Sequence, residues 1–322
     1  MVDPDEGEGA EAPAPETHRV TAEEEGERLD RLLAAAHPER SRATYQRWLK
    51  EGRVTLDGGP ASGRSRPKEG QLVVVRPAPP PPSSATPEDL PLAVLHEDDD
   101  VIVVDKAPGM VVHPAAGHPS GTLVNALLFR FGALPGAEAA RPGIVHRLDA
   151  LTSGVMVVAR SELAKARLVD AFRDHAIERR YLAIAVGHPP ARVTWDTLHG
   201  RHPRDRKRFS GRVTRGKRAI THLEVVERLR GAARVRCRLE TGRTHQIRVH
   251  CAEHGFPLLG DPVYGRPPRD RRVRAAATTL GRQALHAAVL GFDHPRTGRP
   301  MRFETEPPAD LREALASLRD DR

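Results

Sequence analysis

The chain has 322 residues, with 51 Lys and Arg against 43 Asp and Glu and a formal net charge of +8. No apolar run approaches the roughly 18 residues of a membrane span, the acidic, Pro-rich start lacks the features of a signal peptide, and two cysteines make neither a metal cluster nor a disulfide framework. We therefore expect a soluble, cytoplasmic protein whose basic excess serves a polyanionic partner, for which nucleic acid is the natural candidate.

The length and the frequent Pro and Gly predict two domains of mixed α and β structure, built from short elements. The composition of residues 1–17 predicts a disordered acidic tail. A compact unit is expected over 18–77, followed by an extended, Pro-rich linker over 78–92. The second domain is expected over 93–312, and residues 313–322 are assigned to a C-terminal tail.

Two helices are predicted in the first domain from apolar residues at helical spacing. These residues are Leu29, Leu32 and Leu33 in the first helix and Tyr45, Trp48 and Leu49 in the second. Ser41 is placed to cap the second helix. A strand that ends in an Asp-Gly turn is then predicted from RVTLDGGP, and a closing strand from QLVVV.

Over residues 26–77 these elements resemble the alpha-L RNA-binding domain, also called the S-four type. The resemblance rests on RLDRLLA, SRATYQRWLKEGRV and KEGQLVVVRP. It implies that RNA is bound by a basic helix face, which consists of Arg40, Arg42, Arg47 and Lys50. Two positions depart from the usual pattern: Asp57 stands where Asn commonly precedes the glycine, and Gln71 stands where Asp commonly follows Gly70. Neither departure removes the basic face.

The second domain begins with two predicted strands around an acidic turn, in AVLHEDDDVIVVDK. Ser161 is placed to cap a helix that runs to about His175. Alternation in RRYLAIAVG then puts Leu182, Ile184 and Val186 on one strand face and Tyr181, Ala183 and Ala185 on the other. A hairpin turning at Arg230-Gly231 follows, with Cys237 on its apolar face as a core residue.

Polar residues separate two apolar runs in GIVHRLDALTSGVMVVAR, residues 143–160. The runs Ile144-Val145 and Val155–Ala159 predict strands. The segment between them is too long and too polar for a simple hairpin turn. We therefore expect a loop that holds functional groups at the end of a sheet.

Three segments, HRLDALTSG, RRYLAIAVG and LETGRTHQIRVHCAEHGFPLLGDPVYG, resemble the RluA/RluD family of pseudouridine synthases, over nearly all of residues 93–306. The resemblance implies an α+β protein. In it, the small α/β RNA-binding domain is followed by a catalytic domain with a mixed, largely antiparallel sheet and flanking helices. The implied reaction converts uridine to pseudouridine in structured RNA. Because this isomerisation needs no redox step, no nucleotide and no metal, no cofactor is expected.

Catalytic roles are implied by this resemblance for Asp149, Tyr181 and Arg248. An aspartate is ionised at neutral pH, since the unperturbed pKa is ~3.9, and can act as a nucleophile without a dedicated base. Whether Asp149 attacks the sugar, attacks the base or assists elimination is left open by the sequence. Arg248 matches the arginine that pairs with the catalytic aspartate, and Tyr181 matches the tyrosine that packs against the target base.

RNA contacts are also implied. Arg147 matches the residue that enters the RNA where the uridine flips out, a step needed because the target atoms are inaccessible within a stack. Supporting or RNA-contacting roles are expected for His146, Thr152, Arg243, His245 and Gln246. The pair after Asp149 is usually charged in the family but is Ala150-Leu151 here, which should alter RNA contacts or loop packing more than the chemistry.

The segment 200–218 carries nine Arg or Lys residues and one acid, Asp205. Such density suits contacts to RNA phosphates, and the residues proposed for them are Arg206, Lys207 and Arg208. A second basic cluster lies at 266–274. His113, His118 and His250 are expected to be structural rather than metal ligands, because no carboxylate or thiol accompanies them at ligand spacing.

Several alternatives remain at this point. The pairing of the two domains favours large-subunit ribosomal RNA as the substrate, with transfer RNA as the alternative, and a monomer is expected. A hydrolase using Ser153 with His146 and Asp149 would lack the G-x-S-x-G motif, and residues so close in sequence rarely form a triad. A non-catalytic RNA-binding or ribosome-assembly factor is a further alternative, against which the three catalytic residues argue.

Overall fold

A computed structural model describes residues 14–37, 40, 42–77, 85–115, 118–136, 141–205 and 208–319. This part of the chain contains seven α-helices and fourteen strands in two sheets. The predicted α+β class is confirmed, with a small α/β domain followed by a larger mixed-sheet domain. Predictions for residues 1–13, Ser41 and 78–84 fall outside the described residues.

The first domain packs two helices on a four-stranded antiparallel sheet. Its elements are β1 (Glu16–Arg19), α1 (Leu29–Ala36), α2 (Arg42–Lys50), β2 (Val54–Leu56), β3 (Gly59–Pro60) and β4 (Leu72–Val75), in the strand order β1-β4-β2-β3. All six apolar helix residues named from the sequence are buried. The domain starts before the predicted boundary, because Glu16 and Thr17 pair with Val75 and Val74 and so occupy the edge of β4 that would otherwise stay unpaired.

The two residues that depart from the usual RNA-binding pattern contact each other. Asp57 adopts a left-handed backbone (φ 47°), as does Gly58 (φ 78°), which is typical of the tight turn that joins two antiparallel strands. The Gln71 amide donates to Asp57 Oδ2 at 2.7 Å, and the Leu72 N–H donates to Asp57 Oδ1 at 2.8 Å. The departures therefore compensate one another in fixing the turn against β4.

The second domain is a ten-stranded sheet with five helices. Its strands are β5 (Ala93–Glu97), β6 (Val101–Lys106), β7 (Ser153–Ala159), β8 (Glu178–Val186), β9 (Arg192–Arg201), β10 (Phe209–Ser210), β11 (Lys217–Leu229), β12 (Ala232–Leu239), β13 (Leu285–Asp293) and β14 (Pro300–Glu304). Its helices are α3 (Leu123–Phe131), α4 (Glu162–Arg173), α5 (Gln246–Glu253), α6 (Arg271–Leu280) and α7 (Ala309–Leu318). The strand order is β10-β9-β11-β12-β8-β13-β7-β6-β5, with β14 beside β13. Among the described strands, only β7 and β13 pair in parallel.

The helices cover both faces of this sheet, and alternate strand residues point to different helices. In β6, Ile102 packs with α3 and Val103 packs with α4. In β8, Ala183 packs with α5 and Ile184 packs with α6 and α7, which confirms the predicted alternation. Tyr181 packs against the apolar clusters of both α3 and α5. It therefore marks the junction of these two clusters on one face of the sheet.

Local predictions in this domain are confirmed at two places. The Ser161 hydroxyl accepts the Ala164 N–H at 3.1 Å and caps α4. Strands β11 and β12 form the predicted hairpin, with Gly231 in a left-handed conformation (φ 60°) at the turn. Cys237 is fully buried on the apolar face of β12, as expected for a core residue.

Three segments differ from the predictions. Ile144-Val145 is not a strand: Ile144 makes a single bridge to Val158, because Gly143 turns the chain there (φ 67°). Helix α7 continues past residue 312, since Leu315 and Leu318 are buried in the core. The end of the predicted linker also joins the domain, because Ala85 is buried in the α3 cluster.

The longest described helix, α4, has only 12 residues, and no helix in the described ranges is both long and apolar enough to cross a membrane. His250 is buried between the hydroxyls of Thr197 and Thr221, each 2.9 Å from a ring nitrogen. Within the described residues, no group of three or more His, Cys, Asp or Glu side chains is placed to hold a metal ion.

Candidate active site

The polar loop before β7 lies beside a cleft at the junction of the α3 and α5 clusters. The cleft lining includes Asp149, Tyr181, Arg243, His245, Arg248 and Leu285. The loop enters β7 through Gly154, whose backbone has φ 118° and on which a Cβ would collide with the Ala287 carbonyl. A glycine is therefore required where β7 approaches β13, and this contact sets the position of the loop.

Arg248, the third residue of α5, is held between two carboxylates. It donates from Nη1 to Asp149 Oδ2 at 2.9 Å, which is the ion pair expected from the sequence. It also donates from Nε and Nη2 to the two oxygens of Asp261, at 2.8 and 2.9 Å. The side chain of Asp149 is 18% exposed, whereas Arg248 is 4% exposed and Asp261 is fully buried. Asp261 therefore holds Arg248 in place from inside the protein, and Asp149 is the carboxylate that is exposed in the cleft.

The charges of this group support one another. Burial works against the carboxylate of Asp261, but the hydrogen bonds and charge of Arg248 outweigh burial and lower the pKa of Asp261. Burial likewise opposes the cation of Arg248, and the two aspartates raise its pKa above the usual range. Both groups are therefore charged at neutral pH, and the bidentate geometry fixes the guanidinium that holds Asp149.

Tyr181 stands on β8 at the cleft, where the strand alternation predicts it. Burial raises the pKa of Tyr181, and the nearby charge of Asp149 adds to this, although Arg179 acts in the opposite direction. The hydroxyl is therefore protonated at neutral pH. The ring presents an aromatic surface beside Leu285 in the lining of the cleft.

The backbone that follows Asp149 is held by two buried cations. Lys106, 1% exposed, donates to the carbonyls of Ala107, Met110 and Ala150 at 2.8 to 2.9 Å. Arg282 donates to the Leu151 carbonyl at 3.1 Å. Both contacts use main-chain oxygens, so the Ala150-Leu151 departure leaves this support of the loop intact.

Arg282 also ties the loop to the last helix. Its guanidinium donates to both oxygens of Asp310 on α7, at 2.6 and 2.9 Å, and its neighbour Gln283 donates to the Thr152 hydroxyl at 3.2 Å. Asp310 thus supports the loop through Arg282. It lies on α7, the helix that continues past residue 312, where the domain was predicted to end.

Replacing Lys106 with Met is expected to lower the free energy of unfolding by about 2 kcal/mol or more, because buried carbonyls lose their donors. Burial lowers the pKa of Lys106 to about 7, yet only the protonated amine has three N–H groups for three carbonyls. We also expect slower turnover, since one of these carbonyls belongs to the loop. Urea denaturation and a turnover assay measure both effects. Lys165→Met, which makes the same change at a half-buried lysine that donates to the Pro135 carbonyl, is the matched control, and equal losses in the two variants would contradict this account.

Three of the other predicted residues support the site from within the protein. His146 Nε2 accepts the Val157 N–H at 3.0 Å, and its ring stacks on Phe172. Burial lowers the pKa of His146 to about 3.

Thr152 is 2% exposed and its N–H donates to the Asp149 carbonyl at 3.0 Å. Gln246 is also 2% exposed, and its amide bonds to Thr241, Arg243, Ile220 and Thr221. Of the two roles expected for these residues, the structure favours the supporting one.

The remaining predicted RNA-contacting residues lie in varied surroundings. Arg147 is exposed and, with Arg243, lines the cleft. The guanidinium of Arg208 lies 5.2 Å from the ring centre of Tyr264, whereas Arg206 and Lys207 lie outside the described residues.

On the basic helix face of the first domain, three of the four cations lie near carboxylates. Arg40 donates to Glu16 at 2.6 Å, Arg42 donates to the buried Asp30 at 2.8 Å, Arg47 lies 3.5 Å from Glu51, and Lys50 is exposed. Part of the positive charge of this face is therefore balanced within the domain.

The hydrolase alternative finds no support in these positions. Ser153 is 2% exposed and its hydroxyl bonds to His286 Nδ1 at 3.0 Å, not to His146. His146 is occupied by the backbone of β7. Ser153, His146 and Asp149 therefore do not form the hydrogen-bonded series of nucleophile, base and acid that a hydrolase triad requires.

Sequence patterns missed five residues that the structure brings to the site: Lys106, Asp261, Tyr264, Arg282 and Leu285. Asp261 and Tyr264 fall within the third segment that carries the family resemblance, so the polar residues in GDPVYG were an available signal. Lys106 is the last residue of a buried strand, and a buried lysine needs hydrogen-bond acceptors. Arg282 offered no comparable pattern.

Comparisons with known proteins show the family to which both domains are similar. A family model described as RNA pseudouridylate synthase matches residues 100–253, and a model of the S4 domain matches residues 27–73. The chain is 46% identical to ribosomal large subunit pseudouridine synthase D of Xanthomonas campestris, covering 92% of this chain and 90% of that protein. It is 41% identical to the Escherichia coli K12 protein of the same name, covering 95% and 94%. The solved structure of human RNA pseudouridylate synthase domain containing 1 is similar with a TM-score of 0.55 and 27% identity, over 69% of this chain and 85% of that chain.

Proposed function

We propose that this chain, which belongs to the RNA pseudouridylate synthase family and carries an N-terminal S4 domain, isomerises uridines of large-subunit ribosomal RNA with Asp149 as its catalytic carboxylate. The chain is an RNA pseudouridine synthase, and the resemblance predicted from its motifs is confirmed. The observation that carries the proposed site is the carboxylate of Asp149 in the cleft, 2.9 Å from the buried Arg248.

The reaction sets three tasks for the site. The glycosidic bond between C1′ and N1 breaks, the uracil turns, and a new bond joins C1′ to C5. A proton leaves C5 and one is gained at N1, so atoms and electrons balance without a co-reactant. A fixed carboxylate serves attack on the sugar, attack on the base and elimination alike. Asp149 has this role, and the ion pair to Arg248 orients it.

The target base is held by the apolar and aromatic part of the lining. The uracil packs against Tyr181 and Leu285, and the exposed Arg147 at the cleft fills the space that the flipped uridine leaves in the RNA. The basic segment 200–218 binds phosphates, which sets affinity and salt dependence rather than site choice.

Large-subunit ribosomal RNA is favoured over transfer RNA by the relatives. The relatives from Xanthomonas campestris and Escherichia coli K12, at 46 and 41% identity, are both named ribosomal large subunit pseudouridine synthase D, and the match covers both domains. We also propose that the enzyme is a cytoplasmic monomer. It needs no cofactor, because the isomerisation has no redox step and no co-reactant.

Position-resolved pseudouridine mapping tests the substrate. Total RNA from cells with the gene intact or deleted is compared, and the purified enzyme is then given large-subunit ribosomal RNA and transfer RNA in parallel. We expect specific positions of the large-subunit RNA to lose pseudouridine when the gene is deleted and to regain it when the purified enzyme is added in vitro. Loss confined to transfer RNA would assign the alternative substrate, and no change at any position would favour a binding or assembly role.

Tyr181→Phe is expected to reduce single-turnover isomerisation by about 10²-fold, the usual size of a lost proton-transfer group. The ring remains, so packing against the base and RNA affinity should be near normal. The hydroxyl is lost, and we propose that this hydroxyl takes up the C5 proton while it passes its own proton to the nearby carboxylate of Asp149. Rapid-quench assays and RNA binding measure the two quantities. Tyr45→Phe, the same change in the core of the first domain, is the control, and full activity of the Tyr181 variant would remove the hydroxyl from the chemistry.

A further inference from the structure

A second chain of contacts, through Tyr264 and His245, leads to the oxygen of Asp149 that Arg248 does not bond. His245 Nε2 lies 3.7 Å from Asp149 Oδ1, whereas Arg248 bonds to Oδ2. His245 Nδ1 lies 2.9 Å from the hydroxyl of Tyr264, and that hydroxyl accepts the Phe209 N–H at 2.8 Å. Arg248 and His245 therefore lie at different oxygens of the Asp149 carboxylate.

The protons in this chain of contacts can be assigned by counting donors and acceptors. Tyr264 is 5% exposed, so its hydroxyl proton needs an acceptor. The Phe209 N–H already donates to the oxygen, and among the described residues the acceptor placed for the phenol proton is His245 Nδ1. A neutral imidazole that accepts at Nδ1 carries its proton at Nε2. The N–H of His245 is thus directed at Asp149.

The backbone of His245 is an independent sign of constraint. It adopts φ 59° and ψ 19°, in the left-handed region that residues other than glycine rarely occupy, at the residue before α5. Its side chain makes no capping bond to the helix. The His245 carbonyl accepts the Val249 N–H at 2.9 Å, but no side-chain cap accounts for the left-handed backbone, which places the ring in the lining of the cleft.

Burial, rather than the surrounding charges, keeps the His245 ring neutral. Burial lowers the pKa of His245; Asp149 and Asp261 act to raise it, and Arg248 and Arg147 act to lower it. The uncharged rings of Phe209 and Tyr264 complete the surroundings, at 5.7 and 5.6 Å between ring centres. A neutral imidazole leaves the negative charge of Asp149 intact while still offering it a donor.

We infer that His245, fixed by Tyr264 as the tautomer protonated at Nε2, is a positioning residue that donates to Asp149 Oδ1 when RNA fills the cleft. This inference rests on the proposed catalytic role of Asp149. The distance of 3.7 Å is beyond hydrogen-bond length in the structure without RNA, and catalytic hydrogen bonds commonly shorten in the substrate complex. With both oxygens held, the carboxylate has one orientation toward the reacting sugar or base.

His245→Asn and His245→Gln separate the contact from the backbone. Asn tolerates the left-handed conformation but is too short to reach Asp149, whereas Gln can still present an N–H. We expect kcat to fall about 10- to 100-fold in His245→Asn with KM for RNA nearly unchanged, the usual effect of losing a supporting partner, and to fall less in His245→Gln. His254→Asn, at the exposed end of the same helix, is the matched control.

Tyr264→Phe tests the tautomer through pH. Without the phenol proton, Nδ1 is free to be protonated, so the pKa of His245 should be higher in this variant than in the wild-type protein, where burial and the bond to Tyr264 both oppose protonation. We therefore expect kcat, measured from pH 8 to pH 5.5, to begin to fall at a higher pH in Tyr264→Phe than in the wild-type protein. Thermal unfolding shows whether the variant is folded.

Asp149→Asn is assayed beside these variants. If Asp149→Asn is inactive while His245→Asn and Tyr264→Phe keep wild-type kcat and pH profiles, the inference about His245 is overturned and the proposed function stands. If Asp149→Asn stays active, both fail. Selective loss of kcat in His245→Asn, with partial recovery in His245→Gln, supports the inference.

Discussion

Asp149→Asn is expected to reduce pseudouridine formation by at least about 10³-fold, the scale seen when a catalytic group that forms bonds is removed, while RNA affinity changes little. The amide has nearly the shape of the carboxylate, so the loop held by Lys106 and Arg282 should keep its conformation. What is lost is the negative charge and the nucleophilic oxygen. Single-turnover assays and equilibrium RNA binding measure the two consequences separately.

The control for this variant is Asp174→Asn. Asp174 has a side chain that is 61% exposed and pairs with its neighbour Arg173, so the same chemical change there should leave both activity and binding intact. Turnover of Asp149→Asn within tenfold of wild type would show that the carboxylate is not required. A comparable loss of RNA affinity would instead place Asp149 in binding.

How far the sequence predicted the site depends on the range of the contacts involved. Asp149 and Arg248 were found because each sits in a compact motif, and their 2.9 Å ion pair agrees with the expected pairing. Helix and strand faces such as that of Tyr181 followed from periodicity, which is a local property of the chain. The bond from Arg282 to Leu151 joins residues 131 positions apart, and no local pattern contains it.

The errors have the same origin. Ile144-Val145 is apolar enough for a strand, but a strand needs a neighbour along its length, and only Ile144 finds one, in Val158. His146 and Gln246 belong to motifs rich in polar residues, yet their polar atoms turn inward to bond with the backbone or with other buried groups. Which side of a loop faces the cleft is decided by tertiary packing.

Arg248→Met is expected to lower the free energy of unfolding by about 3 to 5 kcal/mol at pH 8, because it leaves the buried carboxylate of Asp261 without its counter-charge. Activity should be lost as well, since Asp149 loses the partner at Oδ2. Loss of both quantities in one variant does not separate stability from catalysis. Two further measurements do so.

The first is the pH dependence of the stability loss. In the wild-type protein Arg248 holds the pKa of Asp261 below its usual value, so this pair stabilises the fold above about pH 4 and the stabilisation is lost as pH falls through the folded-state pKa. In Arg248→Met burial is opposed only by the N–H groups of Val263 and Tyr264, and we expect it to raise the pKa of Asp261 above that of the unfolded chain. The native state then binds the extra proton, and the variant should be less destabilised at pH 5 than at pH 8.

The second is the double variant Arg248→Met with Asp261→Asn. The Asn carbonyl can still accept the N–H groups of Val263 and Tyr264, which bond to Asp261 Oδ1 at 2.9 and 3.0 Å, but no buried charge is left unpaired. We expect urea denaturation to show partial recovery of stability and no change in the stability loss between pH 5 and pH 8, with activity still absent. A double variant no more stable than Arg248→Met would mean that lost packing, rather than the unpaired carboxylate, accounts for the destabilisation. Recovery of activity together with stability would mean that Arg248 serves the fold and not the orientation of Asp149.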